Sequence, residues 1–481
     1  MNLNRRDFLR LSGSGVLLSA LGVGCRRPGT DAPNIVLCVS DDQGWGDMAY
    51  NGHAVLQTPN FDGMAAETLR FDRFYAAAPV CSPTRGSILT GRHPNRYGCF
   101  RWGLPLRPQE VTLAEALKTA GYVTGHFGKW HLGSVERGSP VNPGSSGFDE
   151  WFSAPNFFDN DPILSREGTA IQNAGESSVV TAEAAIDFIR RRARSQAPFL
   201  AVVWFGSPHL PHEAVERDRL LYADQDEALQ HFYGEITGMD RAFGMIRQEI
   251  SDLGIRDNTI LWFSSDNGGL PEVGSTGGRG RKGDIFEGGL RIPSLLEWPA
   301  RIPGGRVTDT PAVTSDMYPT LLEAAGVTMQ DQPPLDGVSL VPLIDEETWR
   351  RPKPIGFWQY PEDGIITPSA EWMAELLEAQ KANPAAVPDS FRLRLDAGDL
   401  SRQFPEDAYP GHAAWLAWPW KFHRIENETG DVVRELYQLD EDPDEAHNLL
   451  TEHAKRVESM ETDLLMWQES VLRSLNGRDY Y

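Results

Sequence analysis

Three apolar runs constrain this chain more than any other feature: NIVLCVSDD (34–42), APFLAVVWFGSPH (197–209) and NTILWFSSDNGG (258–269). Each is continuous rather than alternating, as in a parallel strand buried on both faces, and each ends abruptly in polar residues. Between them lie helical patterns at Thr112 to Ala120, Thr181 to Arg192 and Phe232 to Leu253, with apolar residues three and four apart. Alternating strands and helices predict an α/β fold, a mostly parallel sheet with helices on both faces. Ligands of such sheets bind outside the carboxyl ends of the strands, where Asp41, Asp42, His209, Asp266 and Asn267 fall.

The length of 481 residues accommodates a large core with an appendage. Residues 352–410 read as a connecting insertion with a helical stretch near 370–381. Beyond it, WPWKFHRIENETGDVVRELYQLDEDP alternates like paired strands around a turn at 428–430, and HAKRVESMETDLLMWQESVLRSL has the pattern of an amphipathic helix. The division expected is an export signal and linker over 1–32, a catalytic domain over 33–350, and an insertion with a small C-terminal α+β domain over 351–481.

The start of the chain, NRRDFLRLSGSGVLLSALGVGC, sets Arg5 and Arg6 before an apolar run too short to span a bilayer. It resembles a twin-arginine export signal, which predicts an exported bacterial protein, periplasmic or extracellular, with Cys25 a candidate lipid anchor. Four cysteines in so long a chain make no disulfide framework. A net charge of −23 disfavours nonspecific nucleic-acid binding, and an anionic substrate would need a locally basic pocket.

Taken singly, Asp-Asp and Asp-Asn-Gly are ordinary turn residues. Brought together, they repel: two carboxylates ~4 Å apart cost roughly 4 kcal/mol at an effective dielectric of about 20. Such a group of hard oxygen donors calls for a cation, Ca²⁺ or Mg²⁺ rather than Zn²⁺. In GHFGKWHLG, an extended backbone would point Lys129 and His131 the same way, one to hold an anion and the other to move a proton. His209 competes with His212 in GSPHLPH, and Lys282 with Arg279 and Arg281 in GRGRKGDIFEGG; spacing leaves both choices open.

Cys81, in CSPTRGSILTGR, would need a nearby base and a depressed pKa to act as a thiolate. Arg85 follows too closely for a cysteine-phosphatase loop. The segment instead resembles the signature of the formylglycine-dependent sulfatases, in which Cys-x-Pro-x-Arg directs conversion of the cysteine to an aldehyde. DDQGWGD, TPNFDGMAAETLRF, GHFGKWHLG, SDNGG, EGGLRIPSLLEWP, TSDMYPTLLEAAG and ELYQLDEDPDEAHNL are similar to that family in the same order.

The resemblance implies an alkaline-phosphatase-like α/β fold and an arylsulfatase or N-acetylgalactosamine-6-sulfatase-like hydrolase of sulfate monoesters, with a sulfated carbohydrate as substrate. It implies calcium held by Asp41, Asp42, Asp266, Asn267 and modified Cys81. Arg85 and Lys129 would hold the modified residue and the sulfate, Lys282 and His209 would contact the sulfate and leaving oxygen with His209 as general acid, and His131 would deprotonate the second hydroxyl of the hydrated aldehyde. A maturation enzyme is an implied partner. Where some members carry a serine after the Gly-Phe of GFDEWFSAPNFFDND, Phe157 stands here, beside Asn156. The competing readings are a phosphodiesterase or phosphonate monoester hydrolase on the same fold, and a sulfated-glycan binding protein whose Cys81 stays a thiol.

Overall fold

The computed structural model describes residues 32–480 apart from 196, 271, 303 and 331, so the export and lipidation signals at Arg5, Arg6 and Cys25 lie outside the described residues. Strands are numbered in chain order: β1 (Asn34–Ser40), β2 (Leu69–Tyr75), β3 (Val123–Lys129), β4 (Glu150–Ala154), β5 (Ile163–Arg166), β6 (Thr169–Gln172), β7 (Phe199–Trp204), β8 (Thr259–Ser265), β9 (Arg291–Glu297), β10 (Arg306–Thr308) and β11 (Ala312–Val313). Among the described residues they form one sheet in the order β10-β2-β9-β8-β1-β7-β3-β4-β5-β6, with β11 also on β2. From β8 to β4 every pairing is parallel; β9 runs antiparallel between β2 and β8, and β5 and β6 close the far edge as an antiparallel hairpin.

The three apolar runs are the adjacent central strands β8, β1 and β7. Their continuous hydrophobicity follows from having two cores to fill. Ile35, Leu37 and Val39 of β1 face one, with Leu89, Leu117 and Leu321; Val36 and Cys38 face the other, with Ile186, Phe188, Met239 and Phe243. Helices therefore cover both faces. Three of them start at a polar cap: Thr112 and Glu115 form a capping box before Leu113–Lys118, Glu176 accepts from Ser178 and Val179 ahead of Ser177–Ala193, and Asp226 accepts from Leu229 ahead of Glu227–Asp252. The last two begin about one turn before the apolar periodicity does.

A second, antiparallel sheet comprises β12 (Ile355–Gln359), β13 (Gly411–Ala417), β14 (Trp420–Glu426) and β15 (Val432–Gln438), in sequence order. Gly430 takes the left-handed conformation (φ 84°) in the β14–β15 turn, and the helix Ala454–Leu475 packs its Met460, Leu464 and Leu472 against this sheet. The stretch expected as a connecting insertion is divided between the two parts. Its first strand, β12, joins the small sheet, whereas its helix Ser369–Ala382 returns to the large one, where Gln380 bonds Ala170 and Gly168 of the β5–β6 hairpin.

Candidate functional site

The carboxyl ends of β8, β1, β7 and β3, neighbours in that order, bring four chain segments to one edge of the sheet. Asp41, Asp42, Asp266 and Asn267 are fully buried there. Asp42 is left-handed (φ 67°), with its N–H donating to Asp266 Oδ1 (3.1 Å) and its Oδ1 accepting from Asn267 Nδ2 (2.9 Å). The Asp41 N–H donates to the Ser207 carbonyl just past β7 (3.0 Å), so three strand ends are locked together by these polar residues.

Cys81 opens the helix Cys81–Thr90, all ten residues of which are buried. No side chain caps it, and the free first-turn N–H groups put partial positive charge beside Cys81. The sequence carries a glycine at position 86 because a Cβ there would lie 2.5 Å from the Tyr97 hydroxyl. Arg85 is one turn on, which turns its guanidinium to the same side as Cys81. Its Nε and Nη2 both donate to Asp266 Oδ2 (3.0 and 2.7 Å), Nη1 donates to the Lys129 carbonyl (3.3 Å), and the Trp204 ring lies 5.1 Å from its carbon.

Two ammonium groups complete the charge set. Lys129 Nζ donates to Asp41 Oδ2 (2.6 Å), and Lys282 Nζ donates to Asp42 Oδ2 (2.6 Å) while lying 3.4 Å from His209 Nε2. His209 Nδ1 faces the Leu210 carbonyl (2.5 Å), so this nitrogen carries a proton and Nε2 is directed to Lys282 and Asp42. The Phe157 ring stacks on His209 at 4.1 Å and 15°.

The geometry separates the competing side chains. His212 Nε2 lies against the Pro208 carbonyl (3.0 Å) and packs on Phe232. Arg279 points away, donating to Glu435 and Tyr437, and Arg281 is exposed, 3.8 Å from Glu272. Lys282 is the one of the three directed at the aspartates. The expected alternation of Lys129 and His131 does not hold: β3 ends at Lys129, and His131 is left-handed (φ 54°) as the chain turns to follow Ala154 and Pro155, whose carbonyls accept from Trp130 and His131. His131 is 3% exposed, and neither ring nitrogen has a hydrogen-bond partner among the described residues.

Burial and charge set the protonation states. Burial pushes the Cys81 thiol up to about 11 even with Lys129 and Lys282 nearby, so the unmodified side chain is a neutral thiol. Burial also drives the imidazoles to their neutral forms: His131 falls well below the ordinary histidine range, helped by Lys129, and His209 falls to about 3 against the opposing pull of Asp42. Asp266 rises to about 6 through burial and the neighbouring Asp41 charge, whereas at Asp42 burial is overcome by Lys282, and the carboxyl is held below its usual range.

The donor set fits a hard divalent cation. Ligand atoms of Asp41, Cys81 and Asp266 lie within 4.8 Å of one another, as do those of Asp41, Asp42 and His209. Among the described residues Asp41 Oδ1 and Asn267 Oδ1 are buried oxygens without a hydrogen-bond partner, Asp41 Oδ1 lying 3.7 Å from Arg85 Nη2, and such oxygens are costly to bury unless positive charge or a donor meets them. Carboxylate and amide oxygens at this density suit calcium.

Sequence reasoning missed Phe157 as a wall on His209, Trp204 beneath Arg85, and His126, whose Nδ1 meets Ser153 Oγ (2.8 Å) among Trp130, Phe148 and Trp204. The stacking of Phe157 had no sequence signal; His126 was visible in GHFGKWHLG as an alternate residue of β3. Asn156 donates to the Thr367 carbonyl (3.1 Å), and its buried Oδ1 has no hydrogen-bond partner among the described residues. Cys38 and Cys99 are buried, and the Cys99 thiol donates to the Leu104 carbonyl (3.3 Å).

Residues 33–327 match the family described as Sulfatase. N-acetylgalactosamine-6-sulfatase of Canis lupus familiaris is 34% identical over 377 residues, covering 68% of this chain and 69% of its own. Arylsulfatase A of Homo sapiens is 34% identical over 364 residues, covering 68% and 70%. In fold, the chain is similar to the crystal structure of Ps i-CgsB in complex with k-i-k-neocarrahexaose (TM-score 0.76, 21% identity, 93% of this chain and 98% of that one). It is also similar to the phosphonate monoester hydrolase of Agrobacterium radiobacter (TM-score 0.59, 22% identity, 92% and 97%).

Proposed function

The chain belongs to the sulfatase family and is a sulfuric ester hydrolase, and on that premise we propose that it removes sulfate from a carbohydrate using a formylglycine made from Cys81 and a calcium ion. The observation that carries this reading is the setting of Cys81: a buried neutral thiol, useless as a thiolate, amid three cationic side chains and a ring of hard oxygen donors. Converted to an aldehyde and hydrated, position 81 supplies a nucleophilic hydroxyl and keeps a second one.

Asp41, Asp42, Asp266 and Asn267, with matured position 81, would hold the calcium, which supplies positive charge to a sulfate oxygen. Arg85 fixes Asp266 and faces position 81, and Lys129 and Lys282 provide mobile positive charge for the sulfate, concentrating a basic field within an acidic protein. His131, neutral and with neither ring nitrogen hydrogen-bonded among the described residues, takes the proton of the second hydroxyl so that sulfate departs without water attacking sulfur. His209 presents Nε2 to the leaving oxygen; a bound sulfate beside Asp42 favours the proton that this nitrogen must carry to act as acid.

The reading extends to the rest of the chain. Residues 33–350 form the catalytic domain and 351–481 the insertion and appended domain. Residues 1–32 direct export through the twin-arginine route to the periplasm or beyond, with Cys25 available for a lipid anchor, and a maturation enzyme acts on Cys81. No helix among the described residues is long and apolar enough to cross a membrane. The carbohydrate preference is supported by the names of the relatives and by the carrageenan-type oligosaccharide bound to Ps i-CgsB.

The test pairs two measurements on protein from a host that matures such cysteines. Peptide mass spectrometry across 78–85 should show loss of the thiol and gain of an aldehyde, and sulfate should be released from sulfated sugars faster than phosphate from matched phosphate esters. An unmodified thiol with calcium-dependent glycan binding and no release would replace this reading with that of a binding protein.

A further inference from the structure

We infer that the small C-terminal sheet holds the Lys282 loop in its working position, with Arg279, Glu287 and Glu445 as positioning residues for Lys282. This deepens the proposed function and rests on it. The segments EGGLRIPSLLEWP and ELYQLDEDPDEAHNL contribute nothing that touches the reacting centre, yet they meet each other.

Lys282 stands on the long connection between β8 and β9, and its own backbone is tied to that connection by one bond, N–H to the Gly269 carbonyl (3.0 Å). On one side of it, Arg279 Nη1 reaches the Tyr437 hydroxyl (2.9 Å), Glu435 Oε2 (3.2 Å) and the Glu445 carbonyl (3.3 Å), with its guanidinium 3.8 Å over Phe286. On the other, the Glu287 N–H donates to Glu445 Oε2 (2.7 Å), and Lys421 Nζ bridges Glu287 Oε1 (2.9 Å) and Glu445 Oε1 (3.0 Å).

These are costly groups to bury. Glu287, Lys421 and Glu445 are each at most 1% exposed, two carboxylates to one ammonium. The balance comes from the Tyr75 hydroxyl on Glu287 Oε2 (3.0 Å), His423 Nε2 against Glu445 Oε1 (2.8 Å), and the Glu287 N–H. Breaking one member leaves the rest unpaired, so the cluster has one arrangement and the loop is held in it. Between the two anchors, Gly283 in the left-handed region (φ 97°) turns the chain back. Its N–H donates to Pro79, two residues before Cys81, and its carbonyl accepts from Gln359 of β12 (both 2.9 Å). The loop thus registers the small sheet against the segment that leads to Cys81.

The test is a double-mutant cycle on the matured, full-length enzyme with an aryl sulfate. Arg279→Gln and Glu445→Gln should each lower kcat roughly ten- to a hundredfold, the cost of displacing a contacting group by about 1 Å. In a Lys282→Ala background either change should alter kcat by less than about twofold, because the group they position is gone. Arg279→Lys should recover part of the loss. Amides of 276–290 should exchange faster in Arg279→Gln while those of β1 and β8 do not. If Glu445→Gln does not fold, Arg279→Gln and Tyr437→Phe carry the cycle. Equal losses in both backgrounds, or unchanged exchange over 276–290, would overturn the inference and leave the sulfatase reading standing; a wild-type protein that releases no sulfate would overturn both.

Discussion

Lys282 and Asp42 are 240 positions apart in the chain, yet the ammonium of one sits 2.6 Å from a carboxylate oxygen of the other. The same ammonium is 3.4 Å from His209, so one cation touches both the candidate metal shell and the candidate acid. Replacing it separates charge stabilisation from folding. Lys282→Ala should lower kcat/KM by roughly a hundred- to a thousandfold, the scale for losing one preorganised donor to developing negative charge, with far-UV circular dichroism unchanged. A loss within threefold would remove Lys282 from the machinery.

Calcium should stabilise the protein. A metal-free preparation should melt at a higher temperature when calcium is added; binding at 100-fold excess over Kd contributes about 2.7 kcal/mol. Asp266→Asn should blunt that shift, because it removes one negative charge from the donor set and from the pair Asp266 makes with Arg85. Differential scanning calorimetry with calcium and with zinc decides it, and a larger shift with zinc would contradict the hard-donor assignment.

Activity should not depend on a histidine titrating near pH 6.5. Burial, with Lys129 and Arg85 nearby, keeps His131 neutral well below that range, so its base form is present throughout the neutral region. A profile of log kcat/KM against pH should run level through 6.5, with any acid limb due to His131 below the ordinary histidine value. An inflection near 6.5 that disappears in His131→Ala would show that the imidazole is more solvated than its packing indicates.

Asp336 gives a stability prediction with a definite sign. Burial alone would raise its carboxyl, but Arg96, bonded through Nε and Nη2, and the His93 N–H hold it below the usual carboxylate range. A lowered folded-state pKa contributes stability that is fully present above the unfolded value near 3.9 and is lost as pH falls on through the lower folded value. Asp336 also accepts from Trp467 of the C-terminal helix, so Asp336→Asn should cost about 3–5 kcal/mol at pH 7 and progressively less below about pH 4. Urea melts at pH 7 and pH 2 measure the difference; an equal cost at both would show that the charge is not what matters.

Much of this was legible because the site is built on strand ends. Once β1, β7 and β8 are recognised as buried parallel strands, Asp41, Asp42, His209, Asp266 and Asn267 must share an edge, whatever the intervening chain does. Arg85 was equally readable, one helical turn after Cys81. His131 was harder: periodicity carries a strand forward but does not say where the chain leaves it, and β3 stops two residues early to follow β4. The choice of Lys282 over Arg279 and Arg281 was beyond any local pattern, because it is made by Glu435 and Tyr437, more than 150 positions away, drawing Arg279 off. The split of residues 352–410 between two sheets was hidden for the same reason, since β12 is a strand only by virtue of its pairing with β13.

The burial of the whole Cys81–Thr90 helix puts a clock on the chain. Any enzyme that acts on Cys81 must do so while that helix is still open, and two of the elements packed on it, the turn Thr314–Asp316 and the helix Met317–Ala324, are translated long after it. About 240 residues separate Cys81 from the end of that later helix, which at about 5–20 residues per second is roughly 10–50 s of synthesis. On the proposed formylglycine reading, the yield of working enzyme is set by a race between modification and the ribosome, and slower translation, rather than more protein, should raise the fraction that carries the aldehyde.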